Sequence, residues 1–162
     1  MQRVKCLLTL PLLALTLNCC GSVRSEPTDK PAQELTAGQS VTVTIRSHEK
    51  WNHTGVLLDR GVRYRFVAKG IWCDFYKPVT ADGYDSLLFT PAENKLRGKD
   101  MNWFSLVGCV GENQDNVFLI GRKREFIAMD DGELTCFAND VSNMYWNNWG
   151  SVRLTVTRLD WP

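Results

Sequence analysis

Histidine is scarce in this 162-residue chain: His48 and His53 are the only two, and both stand in the Trp51-Asn52 neighbourhood. A Ser-His-Asp or Cys-His set can be assembled only on paper, from Ser47, Cys73 and Asp59. No Gly-x-Ser-x-Gly elbow supports it. Spacing across β structure identifies no carboxylate pair for glycoside hydrolysis. Glycine-rich phosphate loops and cysteines at metal-ligand spacing are absent too. Charge of one sign is also missing, with 19 basic and 18 acidic residues giving +1. That balance gives no case for nucleic acid or an anionic membrane surface. Arg122-Lys123-Arg124 is the only basic cluster, and Glu125 follows it at once. It reads as a solvated strand edge. A non-catalytic protein is the expectation.

The one long apolar run is at the start. Arg3 and Lys5 precede Leu7 to Leu17, which carries no charge, and the small residues Gly21 and Ser22 follow. This is a secretory signal pattern over residues 1–20, too short for a membrane span. Leu17-Asn18-Cys19-Cys20 also resembles a bacterial lipoprotein signal, so a lipid anchor and ordinary cleavage near Ser22 both stay open. The expected location is outside the cytoplasm: periplasmic, outer-membrane lipoprotein or extracellular. Losing Arg3 and Lys5 with the leader takes the basic count from 19 to 17 against 18 acids, a charge of −1. Residues 21–37 are polar and read as a flexible lead-in.

Six cysteines minus Cys6, Cys19 and Cys20 leave Cys73, Cys109 and Cys136. An odd number allows at most one bridge and one spare thiol. Cys109 and Cys136 fall in apolar alternation and are expected in the core, whereas Cys73 is expected at an exposed strand end. From Gly38 onward the apolar period is two. Val41, Val43 and Ile45 alternate with Thr42, Thr44 and Arg46, and similar runs recur at 63–68, 104–110, 117–120, 124–128, 133–138 and 151–159. Gly61, Gly70, Asp82-Gly83, Gly98, Gly121 and Asp131-Gly132 read as the turns between them. No segment after residue 30 holds a helical stripe for about ten residues. Seven or eight short strands predict an all-β domain over residues 38–162, a β-sandwich or jelly roll. Residues 71–103 are expected to form the longest irregular piece.

The distinctive stretch is Asn139 to Gly150. It packs the carboxylate of Asp140 and the carboxamides of Asn139, Asn143, Asn147 and Asn148 between two apolar alternating runs, with no Lys or Arg among them. Hard oxygen donors on a loop held between strands suit calcium or a sugar. The alternative is a polar turn in which these side chains bond their own backbone. Asn139-Asp140-Val141, two intervening residues, then Met144-Tyr145-Trp146-Asn147-Asn148 and Gly150-Ser151 resemble the PA-IL-like family of galactophilic, calcium-dependent lectins, which are galactose-binding-domain-like. Ala68-Lys69-Gly70 with Trp72, and Leu106-Val107 with Gly111, carry the resemblance more weakly over roughly 38–160.

The resemblance implies one calcium held by the Asp140 carboxylate, the Asn147 and Asn148 side-chain oxygens, and backbone carbonyls at Met144 and near Asp74. It also implies a carbohydrate or glycoconjugate partner against Asp140, Val141 and Asn147. Met144 stands where the family has Thr, but that ligand is a backbone carbonyl. Trp146 and Trp149 stand where the family has Gly and Ser. These indoles either stack on a sugar ring or fill the site and close it. The family's galactose-reading His and Gln belong in the 84–92 stretch, which instead carries Tyr84, Asp85, Ser86, Leu87, Leu88, Phe89 and Thr90. Asp82 and Asp85 are further candidates for the metal. Two readings follow: a calcium-dependent carbohydrate-binding protein, or a structural or protein-interaction module on a lectin scaffold. Assembly into an oligomer stays open, since avidity often serves such proteins.

Overall fold

The computed structural model describes residues 31–85 and 95–159. The leader, most of the lead-in and residues 86–94 lie outside the described residues. Among the described residues, eleven strands form two sheets. In the first, β1 (Gln33–Glu34), β3 (Asn52–Leu58), β10 (Gly132–Ala138) and β7 (Trp103–Val110) lie side by side. The far side of β7 carries β6 (Asp82–Tyr84) and β8 (Phe118–Leu119). The second sheet runs β2 (Ser40–Arg46), β11 (Asn148–Arg158), β4 (Arg63–Asp74). The outer side of β4 pairs with β9 (Lys123–Ile127) and β5 (Lys77–Val79). All pairs are antiparallel except β1 with β3. This is the all-β sandwich that the two-residue period predicts.

Inward residues of both sheets make one core, including Ile45, Tyr64, Phe66, Trp72, Leu106, Leu134 and Leu154. The outer face of β2 and β11 is closed by hydroxyls, with Ser40 to Thr157 and Thr42 to Thr155 each at 2.8 Å. Such cross-strand pairs stabilise a solvated face. The first sheet differs, because β7 is buried on both faces. Leu106 points into the main core, and Val107 joins Phe137 and Tyr145 in a second cluster packed by Trp51 and Met101. Loops that cover this outer face include the Asn139–Gly150 stretch.

Several expectations are corrected. The domain begins before residue 38: β1 pairs with β3, and Leu35, an isolated apolar residue in a polar run, is buried in the core. Residues 71–103 are less irregular than predicted. β4 continues through Gly70 to Asp74, and β5 and β6 follow. Gly70 is a strand-interior residue with φ +121, placed where the β11 backbone approaches closely. Among the described residues Cys73, Cys109 and Cys136 are free and buried, and Trp149 stands opposite Cys73 across the β4–β11 ladder. Asp82-Gly83 is a paired strand rather than a free hairpin turn. Arg122-Lys123-Arg124 is exposed, on the edge strand as expected.

Gly83 is the most constrained of these positions. Its φ is +70, and a Cβ there would press on the Trp103 carbonyl and stand 2.5 Å from the Ser105 nitrogen. Gly83→Ala is therefore expected to destabilise the domain by about 2–4 kcal/mol in urea unfolding. A loss below about 0.5 kcal/mol would mean that β6 does not press on β7.

Candidate functional site

Chain geometry builds the site from beneath. Asn139 is fully buried, and its side chain is consumed by the neighbouring segment. Its Oδ1 accepts from the Gly98 amide at 2.7 Å, and its Nδ2 donates to the carbonyls of Gly98 and Asn102 at 2.9 and 3.1 Å. The Asp140 carbonyl accepts from the Arg97 amide at 3.3 Å, and Leu96 bridges to Val141. A turn closes Val141 to Met144, whose carbonyl takes the Asn147 amide at 3.2 Å. The 3-10 turn Tyr145–Asn147 then feeds Asn148 into β11, opposite Asp74 on β4.

That path brings the expected residues together. Asp140, only 3% exposed, accepts from its neighbour's amide (Val141, 2.6 Å) at Oδ1 and from Asn148 Nδ2 (2.9 Å) at Oδ2. Asp74, Asp140, Val141, Met144 and Asn147 line one cavity of about 340 Å³, walled by Phe75, Tyr76, Tyr84 and Trp103. Asn148 does not line it: it is bonded to Asp140 and lines a separate hollow with Trp146. Tyr84 opens the stretch where the resemblance places the sugar readers, but its bond to Asp74 was not expected. Its hydroxyl donates to Asp74 Oδ2 at 2.5 Å, and no local signal in the sequence marks that pairing. Burial and the nearby carboxylate of Asp74 push the Tyr84 phenol far above its ordinary range, so it stays a donor.

The self-bonding alternative accounts only for the Val141-facing oxygen of Asp140; Asn139 bonds the 98–102 segment instead. It fails for Asn147 and Asn148, whose side-chain oxygens are buried with no hydrogen-bond partner. A buried, unpaired oxygen costs about 1–3 kcal/mol. Two of them beside a buried carboxylate fit a hard cation with an oxygen shell. Among the described residues no group of three or more His, Cys, Asp or Glu is placed to hold a metal. The donor set is thus carboxamide and carbonyl rich, which suits calcium far better than zinc.

The remaining candidates fall elsewhere. Asp82 is engaged by Arg122 through both its backbone amide and its guanidinium. Trp146 is 77% exposed and lines a separate hollow of about 620 Å³ with His48, Trp51 and Glu112. Trp149, 57% exposed, is not among the cavity's lining residues, although its indole N–H donates to the carbonyl of Phe75, which is. Neither indole caps Asp140 and Asn147. Of the stretch expected to carry sugar readers, Tyr84 and Asp85 are described; Ser86, Leu87, Leu88, Phe89 and Thr90 lie outside the described residues.

Burial pushes the Asp140 carboxyl up from the ordinary aspartate range. The Asn148 and Val141 hydrogen bonds oppose this, and the negative charge of Asp74 adds to the rise. An acid raised in the folded state binds more protons folded than unfolded, so stability falls as pH climbs from the ordinary aspartate range through Asp140's raised value. In chelator at neutral pH, Asp140→Asn is expected to match or exceed the wild type in urea unfolding. The difference should shrink as pH falls through that window. A variant about 1–3 kcal/mol less stable in chelator would instead make the carboxylate a purely structural acceptor.

No family model matches the sequence, and no curated protein matches it in sequence. Among solved structures, the EclA N-terminal domain, a PllA-like lectin, superposes with a TM-score of 0.55 at 18% identity, covering 72% of this chain and 94% of that one. At that identity the likeness concerns the fold alone, and it agrees with the two-sheet arrangement: the chain has the fold of the PA-IL-like lectins.

Proposed function

We propose that this is an exported, non-catalytic protein that binds carbohydrate through one calcium ion. The observation that carries the reading is the pair of buried, unpartnered oxygens on Asn147 and Asn148 next to the Asp140 carboxylate. Asp140, Asn147 and Asn148 would hold the ion with backbone carbonyls of Met144 and Asp74. Calcium bound there supplies open coordination positions to vicinal hydroxyls. The chain's own residues supply the rest. Asp140, Val141 and Asn147 face the sugar, and Phe75, Tyr76 and Tyr84 offer aromatic walls to its apolar face. Trp149 supports that wall through Phe75, and Trp146 serves the neighbouring hollow. Against the alternative, a structural or protein-interaction module with a closed or lost sugar site, stands the observation that neither Trp146 nor Trp149 lines the cavity. Export follows from the signal pattern at residues 1–20, with a lipid anchor at Cys19 or Cys20 as its variant.

With few carboxylates in the shell, the affinity belongs to the extracellular range, about 10⁻⁴–10⁻³ M. Calorimetric titration of the chelator-stripped protein is expected to give one calcium site in that range. Asp140→Ala should abolish it, and Asn147→Ala should weaken it about tenfold. Retention of glycans on an array should require calcium and disappear with EDTA. An Asp140→Ala protein that held calcium and glycan unchanged would refute the assignment.

A further inference from the structure

Lys77 opens β5, directly after the Phe75-Tyr76 turn, and among the residues lining the 340 Å³ cavity it is the only cation. Its ammonium lies 3.3 Å from the centre of the Tyr84 ring. Among the described residues it makes no ion pair, although Asp74 stands opposite it in the β4–β5 ladder. Asp74 Oδ2 instead accepts from the Tyr84 hydroxyl. The ring face attracts the ammonium but accepts no ordinary hydrogen bond from it. Its N–H groups therefore remain available toward the cavity.

We propose that Lys77 makes this cavity select acidic saccharides, sugars bearing a carboxylate, over their neutral counterparts. The inference rests on the calcium-dependent carbohydrate reading above. An ammonium gains little from exchanging water for a sugar hydroxyl, but a carboxylate gives it a charge-assisted hydrogen bond. The charge balance points the same way. Asp74 and Asp140 contribute two negative charges and Lys77 one positive, so a bound divalent ion leaves the cavity net positive and matched to an anion. The walls complete the recognition. Tyr76 is 82% exposed and packs edge-on against Phe75 at 5.2 Å, presenting aromatic surface to a ring while Lys77 reads its acidic arm. A lysine kept merely to protect a sheet edge would touch no ligand.

The test compares full-length wild type, Lys77→Gln and Lys77→Arg by calorimetry in excess calcium. The ligands are the methyl glycosides of galactose and glucose and of the matching galacturonic and glucuronic acids. At least one uronate is expected to bind wild type about tenfold more tightly than its neutral hexoside. Gln should erase that ratio, Arg should keep it, and the calcium titration of Lys77→Gln should be unchanged or tighter. A uronate-to-hexoside ratio equal in wild type and Lys77→Gln, with calcium and neutral sugar still bound, overturns the role of Lys77 alone. Equal loss of acidic and neutral sugars in Lys77→Gln overturns it as well. Wild type that binds none of these sugars in calcium overturns it together with the reading beneath it.

Discussion

The guanidinium of Arg97 is the constraint on which the site loop depends. It is buried, with its carbon 3.6 Å from the centre of the Phe137 ring and 4.1 Å from that of Trp51. It donates to the Lys50 carbonyl at 2.5 Å, the Tyr145 hydroxyl at 2.9 Å and Gln114 Oε1 at 2.9 Å. None of these acceptors is ionised. Neutral oxygens and two π faces stand in for a carboxylate, an arrangement that a planar guanidinium tolerates far better than a lysine would. Tyr145 passes the restraint on, since its hydroxyl donates to the Ala138 carbonyl at 2.5 Å. The turn that presents Asn147 and Asn148 is thereby clamped to β10 on one side and to the 95–102 segment on the other.

This clamp explains why two asparagine oxygens can stay unpaired. In a loose loop, Asn147 and Asn148 would rotate to bond water or their own backbone, as asparagines in turns usually do. Here the backbone on both sides is fixed: Tyr145 is held from beneath, and Asn148 is already in the β4–β11 ladder. Asn139 shows the other outcome within the same stretch. Its carboxamide is fully satisfied, and it works as a staple with no donor or acceptor to spare for a ligand. Residue type alone does not separate these roles. Position relative to the clamp does.

That distinction marks where the sequence stops being legible. The sandwich could be read from period-two alternation, because burying one face of each strand leaves that trace directly. Asp140, Asn147 and Asn148 stood out only through the resemblance to the PA-IL-like lectins, since residue type alone also fits a self-bonded turn. β1, β3, β5 and β6 left no such trace. β3 begins Asn52-His53-Thr54-Gly55, and its polar members are satisfied by cross-strand partners: Asn52 by Arg46 and Cys136, Thr54 by the Leu134 carbonyl. Two- and three-residue strands are too short to show a period. Tyr84 and Arg97 were missed for another reason. Their partners lie 10 and 48 residues away, so only the fold brings them into contact.

Backbone strain beside the cavity points to the same surface. Phe75 adopts φ +52, a left-handed conformation that disfavours an aromatic residue by about 1–3 kcal/mol. It does so at 59% exposure, so core packing does not compensate the strain. What the conformation achieves is placement. It turns the Phe75 carbonyl to the Trp149 indole and sets Phe75 and Tyr76 along the rim above Asp74. A glycine there would relieve the backbone and remove the aromatic wall. The strained turn and the Tyr84–Asp74 bond come from one part of the chain and the clamped asparagines from another, and together they shape one small cavity.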